Sequence, residues 1–442
     1  MRDTWLTLNP HALTQNLAVL RAHHPQSKLL AMVKADAYGH GVAQVAPLLA
    51  TQVDAFGVAF LEEALALRAQ GINTPIAVLE GVFTAAELAA ARTAQLSLAV
   101  HSPEQVALLQ AAPAGEPLTV WLKLNTGMNR LGFRPADALK VWHQLHRLPL
   151  VNSIHVMTHF ARADELTCPQ TELQWGRFCA VRDAIALAQR EPVITSVANS
   201  AAILAWPQTQ TEWMRPGIAL YGSSPFADQC AEYFGLQPVM TLHSRIIAVH
   251  ELSAGDEVGY GATWVADAAT RVAVVAIGYG DGYPRHARNG TPVLVNGHRC
   301  ALVGRVSMDM ITVDLGAVAA KPGDEVVLWG EGLPADEVAQ AAGTISYDGE
   351  EITGLSPRAI VARGIGLDNR RFQHHQDAKP ILRSAFWERE LVPQSGLHAA
   401  TDAVDARDWD VFRPTRVHTS HGTFWVAIWR AGRSATEANR IC

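Results

Sequence analysis

The sequence predicts an α/β protein: an N-terminal (β/α)8 TIM-type barrel followed by a C-terminal mostly-β domain. Three observations carry that expectation. Between about residues 9 and 235, eight short apolar segments alternate with helical stretches. Their apolarity is continuous rather than alternating, the pattern of parallel strands covered on both faces. From about Val239 the helical runs give way to short strands and glycine-rich turns. Eight βα units are the count of a closed barrel, with a doubly wound open sheet as the structural alternative.

Asn9-Pro10 reads as an N-cap and first-turn proline, opening a helix that runs to about His23. The eight strands are expected at Leu29–Val33, Ala55–Ala59, Ile76–Leu79, Leu96–Val100, Leu118–Leu124, Ile154–Thr158, Val193–Val197 and Trp213–Leu220. Between them, one helix starts near Leu61 and ends at Gly71. Another opens at Thr84, and a third at Ser102-Pro103-Glu104, a cap followed by a first-turn proline. Gly222 to Gln237 reads as a connection. The second domain is expected to hold strands at Thr241–Val249, Arg271–Tyr279, Pro292–Val295, Met310–Val313 and Glu325–Leu328, with one helix at Ala335–Ala342. The predicted boundaries are thus 1–235 for the barrel, 236–364 for the β domain and 365–442 for an atypical tail. That tail holds eleven Lys or Arg, nine Asp or Glu, five His and four of the twelve tryptophans, without a period of 2 or 3.6. It reads as an appended, weakly ordered segment, or as a frame-shifted end.

Composition narrows the function classes. The 442 residues are 49% hydrophobic and 18% charged, with a net charge of −6, which suggests no general affinity for nucleic acid or membrane. No stretch approaches the ~20 apolar residues of a membrane span, and the first ten residues lack a secretory apolar core. Five scattered cysteines show no Cys-x-x-Cys or zinc spacing, so no metal is expected. Free thiols in a reducing cytoplasm are the expectation.

The chemistry starts at Lys34, in V-K-A-D-A-Y-G-H-G directly after the first apolar strand. Burial at a strand end lowers a lysine's pKa, and a neutral amine forms a Schiff base with an aldehyde. Other polar residues also fall just beyond the strands: Lys123, Asn125 and Arg130 at the fifth, His159 at the sixth, Asn199 and Ser200 at the seventh, Arg215 within the eighth. A barrel gathers such residues at one mouth. Taken singly, each has a plainer reading: a solvated lysine, a structural histidine, a helix cap, a rim arginine.

Further motifs follow in order: W-L-K-L-N-T-G-M-N-R-L-G-F (Trp121–Phe133), A-N-S-A-A (Ala198–Ala202), R-P-G-I-A-L-Y-G (Arg215–Gly222), G-Y-G-A-T-W (Gly259–Trp264), I-G-Y-G-D-G (Ile277–Gly282), V-S-M-D-M (Val306–Met310) and T-I-S-Y (Thr344–Tyr347). In this order and spacing, from about Asp3 to Pro357, the chain resembles the alanine racemases, pyridoxal 5'-phosphate enzymes with an N-terminal barrel and a C-terminal β domain. The resemblance implies interconversion of L- and D-alanine through a pyridoxal-phosphate aldimine on Lys34, supplying D-alanine for peptidoglycan. It implies two bases on opposite faces of the substrate: Lys34 toward the D-substrate and Tyr260, from the partner subunit of a homodimer, toward the L-substrate. Both side chains start near a pKa of 10, so cationic surroundings are needed to bring them toward neutrality.

By the same resemblance, Arg215 faces the pyridine nitrogen. Tyr38, Ser200, Tyr347 and the N–H groups of Gly217 and Ile218 hold the phosphate, with Asn199 at the start of the adjoining helix. His159 flanks the ring. Arg130 and the Met308 backbone take the substrate carboxylate. Lys123 matches a lysine that some members carbamylate to hold that arginine. Asp309, Tyr279, Asp164, Arg285 and Arg305 match residues near the entry corridor. The chain departs from the family pattern after Tyr347: residues 348–351 are lengthened, and 358–364 do not follow the expected terminal strand. The alternatives weighed are a broader racemase acting on serine or lysine, a barrel decarboxylase, and a non-catalytic pyridoxal-phosphate carrier. The Lys34/Tyr260 pair with Arg215 disfavours the decarboxylase, and the β domain bearing Tyr260 disfavours the carrier.

Overall fold

The computed structural model describes residues 4–342 and, beyond them, the short strands at 346–347, 350–351, 409–411, 415–419, 422–426 and 429–431. Two compact units divide the chain, Met1–Ile381 and Leu382–Cys442.

In the first unit, strand β1 (Trp5–Leu8) precedes the barrel. The barrel strands are β2 (Lys28–Met32), β3 (Ala55–Val58), β4 (Ile76–Val78), β5 (Ser97–Val100), β6 (Leu118–Lys123), β7 (Val151–Met157), β8 (Thr195–Ser196) and β9 (Trp213–Met214). They pair in parallel in chain order, and β9 returns to β2 to close the ring. Their continuous apolarity has the expected cause. Leu30, Met32, Ala55, Ala77, Ala99, Trp121, Met157 and Trp213 fill the barrel interior. The intervening residues, among them Leu29, Ala31, Phe56, Val58, Val78, Leu98, Val120 and Leu122, pack outward beneath the helices. Three interior alanines leave room for Trp121 and Trp213, whose rings meet edge to face at 5.7 Å.

The helix Pro10–His23 is capped by Asn9, whose Oδ1 accepts the N–H groups of His11 and Ala12 at 3.0 and 3.1 Å. Thr84 and Ser102 cap their helices in the same way. Two barrel strands are much shorter than the apolar runs that predict them. The run from Trp213 stops pairing at Met214, because Pro216 lacks a ladder donor, and Ile218–Tyr221 forms a 3-10 turn. The run after Pro192 pairs only at Thr195–Ser196.

The β domain comprises β10 (Met240–Leu252), β11 (Glu257–Val258), β12 (Trp264–Val265), β13 (Thr270–Val275), β14 (Pro292–Val295), β15 (His298–Val303), β16 (Ile311–Asp314) and β17 (Glu325–Trp329), with a helix at Ala335–Ala342. The main sheet runs β1-β10-β13-β16-β15-β14-β17, and β10 also pairs β17, closing a ring. Bulges in β10 let its first half face β1 and β17 and its second half face β13. β11 and β12 form a separate hairpin. Strands β1, β11, β12 and β15 are additions to the sequence expectation.

Ser346–Tyr347 pairs antiparallel with Glu350–Glu351. In the second unit, Trp409–Val411 pairs Trp429–Ala431 and Thr415–Thr419 pairs Gly422–Val426. The remainder of the predicted tail, residues 358–364 and the Tyr347 side chain lie outside the described residues. Among the described residues, no helix is long and apolar enough to cross a membrane, no cluster of ligands could hold a metal, and Cys168, Cys179, Cys230 and Cys300 are free thiols.

Candidate active site

Lys34 stands at the carboxyl end of β2 and begins an unusual turn. Ala35, Asp36, Ala37 and Tyr38 all have φ between 53° and 56°, and Gly39 and Gly41 continue at 81° and 83°. Four consecutive non-glycine residues are therefore left-handed, each at a cost of about 1–2 kcal/mol. Local bonds close the turn: Ala37 N–H donates to Val33 O at 2.9 Å and Gly39 N–H to Ala35 O at 3.0 Å. Val42 N–H donates to Asp36 Oδ1 at 2.7 Å, and Ala35 N–H donates to Glu63 Oε1 at 2.6 Å. The Tyr38 ring stacks on Tyr221 at 5.1 Å, and Tyr221 Oη donates to Met32 O at 2.8 Å.

Beside this turn, Arg215 is buried at the end of β9. Its guanidinium donates to Ser196 Oγ, to Thr158 O at 2.7 Å and to Val197 O at 3.3 Å, and lies 3.5 Å from His159 Nδ1. Burial lowers its pKa only to about 10, so it remains a cation at neutral pH. His159 is pushed well below the ordinary histidine value, first by burial and then by Arg215, Arg130, Lys123 and Lys34. Its imidazole is neutral at pH 7.

Lys123, 6% exposed at the end of β6, donates to Leu79 O at 3.3 Å and lies 4.0 Å from Glu80 Oε2. Burial brings its pKa down to about 8; Glu80 opposes that shift, while Arg130, Arg215 and Lys34 add to it. The structure thus gathers Lys34, Lys123, Arg130, His159 and Arg215 within electrostatic reach of one another. Such a site favours anions and neutral bases.

A donor-rich cradle adjoins it. Asn199 caps the helix Ser200–Ala205, accepting from Ala202 N–H at 3.1 Å. Ser200 Oγ accepts from the N–H groups of Gly217 and Ala219 at 3.0 and 3.3 Å. A Cβ on Gly217 would lie 2.4 Å from Tyr38 Oη, so only glycine lets the phenol reach this point. Two hydroxyls that meet at Gly217 beside a short helix start, in a chain whose Arg215 is buried and charged, are donors that fit the phosphate of pyridoxal phosphate. Ile218, next along the chain, begins the 3-10 turn and is half-buried.

Arg130 is exposed, at the end of a loop folded around Asn125, whose Oδ1 accepts from Gly127 and Asn129 N–H at 3.2 and 3.0 Å. The loop is tied down by Thr126, 2.8 Å from Thr158 Oγ1.

The remaining candidates sit on the β domain. Tyr260 tips the β11–β12 hairpin and is 73% exposed. Gly259 and Gly261 flank it with φ of 75° and 73°, which turns the hairpin tip sharply. Met308 is 54% exposed, and its loop is pinned from Tyr279 N–H to Ser307 O at 3.0 Å and from Gly280 N–H to Met308 O at 2.8 Å. Arg285 lies over the Tyr279 ring at 5.2 Å. Asp164, Arg305 and Asp309 are exposed. Among the described residues, no hydrogen bond joins Tyr260 to the barrel cluster. The barrel thus presents a cationic mouth, and the β domain presents an exposed tyrosine beside a methionine loop.

Sequence reasoning missed Glu63, Glu80, Ser196 and Tyr221. Ser196 and Glu80 stand at or just past the carboxyl ends of β8 and β4, a position that could have flagged them. Glu63 carries no such signal, because its partner lies 28 residues earlier.

Comparisons with known proteins agree with this arrangement. Residues 8–225 match the family model for the alanine racemase N-terminal domain, and residues 239–361 match that for the C-terminal domain. A relative described as alanine racemase, from Aeromonas hydrophila, is 51% identical over 363 residues, 82% of this chain and 99% of its own length. The biosynthetic alanine racemase of Escherichia coli K12 is 49% identical over 367 residues, with the same coverage. Among solved structures, the biosynthetic alanine racemase of Pseudomonas aeruginosa superposes with a TM-score of 0.73 at 46% identity, covering 78% of this chain and 95% of that one.

Proposed function

Because this chain belongs to the alanine racemase family, we propose that it interconverts L-alanine and D-alanine with pyridoxal 5'-phosphate as its cofactor. The observation that carries the reading is the Lys34 turn set against buried Arg215 and the Tyr38–Ser200–Gly217 cradle, in a chain about half identical to alanine racemases over 99% of their length. When bound, the cofactor supplies an aldehyde that holds an amino group and an electron sink that acidifies the α-carbon.

The rest is done by this chain's own residues. Lys34 Nζ would anchor the cofactor, and Tyr38, Ser200 and the neighbouring N–H groups would hold its phosphate. Arg215 would donate a hydrogen bond to the ring nitrogen and keep its own proton, since its pKa stays near 10. A ring hydrogen-bonded in this way, rather than protonated, would be a weaker electron sink, which would limit side reactions. Arg130 and the Met308 backbone hold the substrate carboxylate. Lys34 Nζ takes the α-proton from the D-substrate, and the Tyr260 hydroxyl of a second copy returns one to the opposite face; in the reverse direction the roles exchange. Neutral His159 beside Arg215 adds no further charge to the site. Lys123, with its pKa near 8, is primed to capture carbon dioxide as an anionic carbamate, which would offset the surrounding cations and hold Arg130.

The homodimer is supported by exposure on both the barrel and the β domain. Phe60 and Phe83, just beyond β3 and β4, are half exposed, as is Met308 on the β domain, where Tyr260 is more exposed still. Burying such side chains against a second copy would be favourable. The description "biosynthetic" attached to the relatives of E. coli and P. aeruginosa fits a supply of D-alanine for cell-wall peptidoglycan.

The test is to incubate purified protein with pyridoxal phosphate and a panel of L-amino acids, and to assay for the D-enantiomers. D-alanine should form fastest. A serine or lysine product formed faster than D-alanine, or no racemisation at all, would overturn the reading.

A further inference from the structure

A left-handed run of four L-residues does not persist unaided, so the turn after Lys34 must be held from outside. Parallel pairing of β2 with β3 brings their carboxyl ends side by side, Met32 opposite Gly57. The helix Leu61–Ala69 begins just past β3. Its third residue, Glu63, is half-buried between the two loops. Glu63 Oε2 accepts the N–H groups of Ala59 and Phe60 at 2.8 and 3.1 Å, the ordinary duty of an acid at a helix start. That duty occupies one oxygen. The other, Oε1, accepts the Ala35 N–H at 2.6 Å, the first peptide of the left-handed run and the one adjoining Lys34.

We infer that Glu63 is a positioning residue for Lys34: its carboxylate fastens the strained turn to the start of the next helix and so aims the lysine amine and the Tyr38 hydroxyl into the cofactor cradle. The inference rests on the assignment of Lys34 above. Without the brace, the Ala35 N–H loses its charged acceptor. The turn is then free to relax toward right-handed backbone, which swings Lys34 and withdraws Tyr38 from Gly217.

The test compares the full chain with Glu63→Ala, Glu63→Gln, Ala35→Gly, the double variant Glu63→Ala/Ala35→Gly, and Lys34→Ala. The readouts are amide hydrogen exchange of the peptide spanning residues 33–41, pyridoxal phosphate retained through gel filtration, and covalent attachment after borohydride reduction, with thermal melting as the fold control. Glu63→Ala should speed exchange in 33–41 and weaken cofactor retention, each by roughly tenfold. Glu63→Gln, which keeps one acceptor oxygen, should fall between. Glycine adopts the left-handed region without strain, so Ala35→Gly in the Glu63→Ala background should recover a large part of both losses. Glu63→Ala within about twofold of the parent in both readouts would overturn the inference. Failure of Ala35→Gly to recover anything would do the same, because Glu63 would then act only as a cap of its own helix. If Glu63→Ala does not fold, Glu63→Gln alone and combined with Ala35→Gly is judged by the same criteria. Lys34→Ala separates the two ideas: cofactor still fixed by borohydride would sink the Lys34 assignment, while exchange in 33–41 still reports on the brace.

Discussion

Arg215 is buried and still charged because three acceptors, Ser196, Thr158 and Val197, take its N–H groups. A lysine there has no planar fork with which to meet them all. Arg215→Lys should cost about 2–3 kcal/mol of stability, read from urea melts, and should slow racemisation. Lys123 gives a pH signature. Its folded pKa, about 8, lies below the ~10.4 of an unfolded lysine. Between those values the unfolded chain holds the proton and the folded one does not, so stability rises with pH across that window, by up to about 1.4 kcal/mol per unit. Below pH 8 the full penalty is present. In carbon-dioxide-free buffer, Lys123→Met should flatten this slope; an unchanged slope would show that Lys123 titrates normally. Tyr260→Phe should slow α-proton exchange from L-alanine, followed by NMR in D2O, far more than it weakens cofactor binding. Equal losses in both would contradict its role as a base.

At the scale of elements, the Asn9 cap is worth about 1 kcal/mol, and Asn9→Ala should lower the melting temperature accordingly. The hairpin tip is less tolerant. Gly259→Ala forces a side chain into φ 75°, with a cost near 1 kcal/mol, and by tilting Tyr260 should reduce turnover more than it reduces stability. Elements differed in how plainly the residues announced them. The barrel strands were legible because both faces are buried, so their apolarity is unbroken. The caps at Asn9, Thr84 and Ser102 were legible because capping is local chemistry. The pair β14–β15 was half missed, although Asn296-Gly297 between two apolar runs is a strong hairpin signal; both residues have positive φ, 50° and 78°. Gly297 precedes His298 and Arg299, whose polarity hid the start of β15. The left-handed turn was not legible at all, since Ala35, Ala37 and Tyr38 have no intrinsic preference for it and it depends on Glu63 from another helix.

Across the whole molecule, the proposed pairing of the barrel mouth with Tyr260 of a second copy predicts that activity depends on association. Specific activity should fall on dilution below the dimer dissociation constant, in step with the sedimentation coefficient; a concentration-independent rate would argue for a self-sufficient chain. The family match ends at residue 361, so truncation after Gly364 should leave racemisation largely intact, whereas collapse of the circular dichroism signal would show that the tail is built into the domain. Tyr260 became a candidate only through its motif, because no spacing rule relates a hairpin tip on the β domain to the mouth of a barrel.

Strand β1 has a consequence for synthesis. Trp5 lies opposite His243 and Leu8 opposite Met240, so this strand leaves the ribosome well over two hundred residues before its neighbour exists. All eight barrel strands lie within that interval. The opening strand then acts as a clasp, and a bulky fusion placed ahead of Trp5 should delay maturation of the second domain while leaving the first untouched.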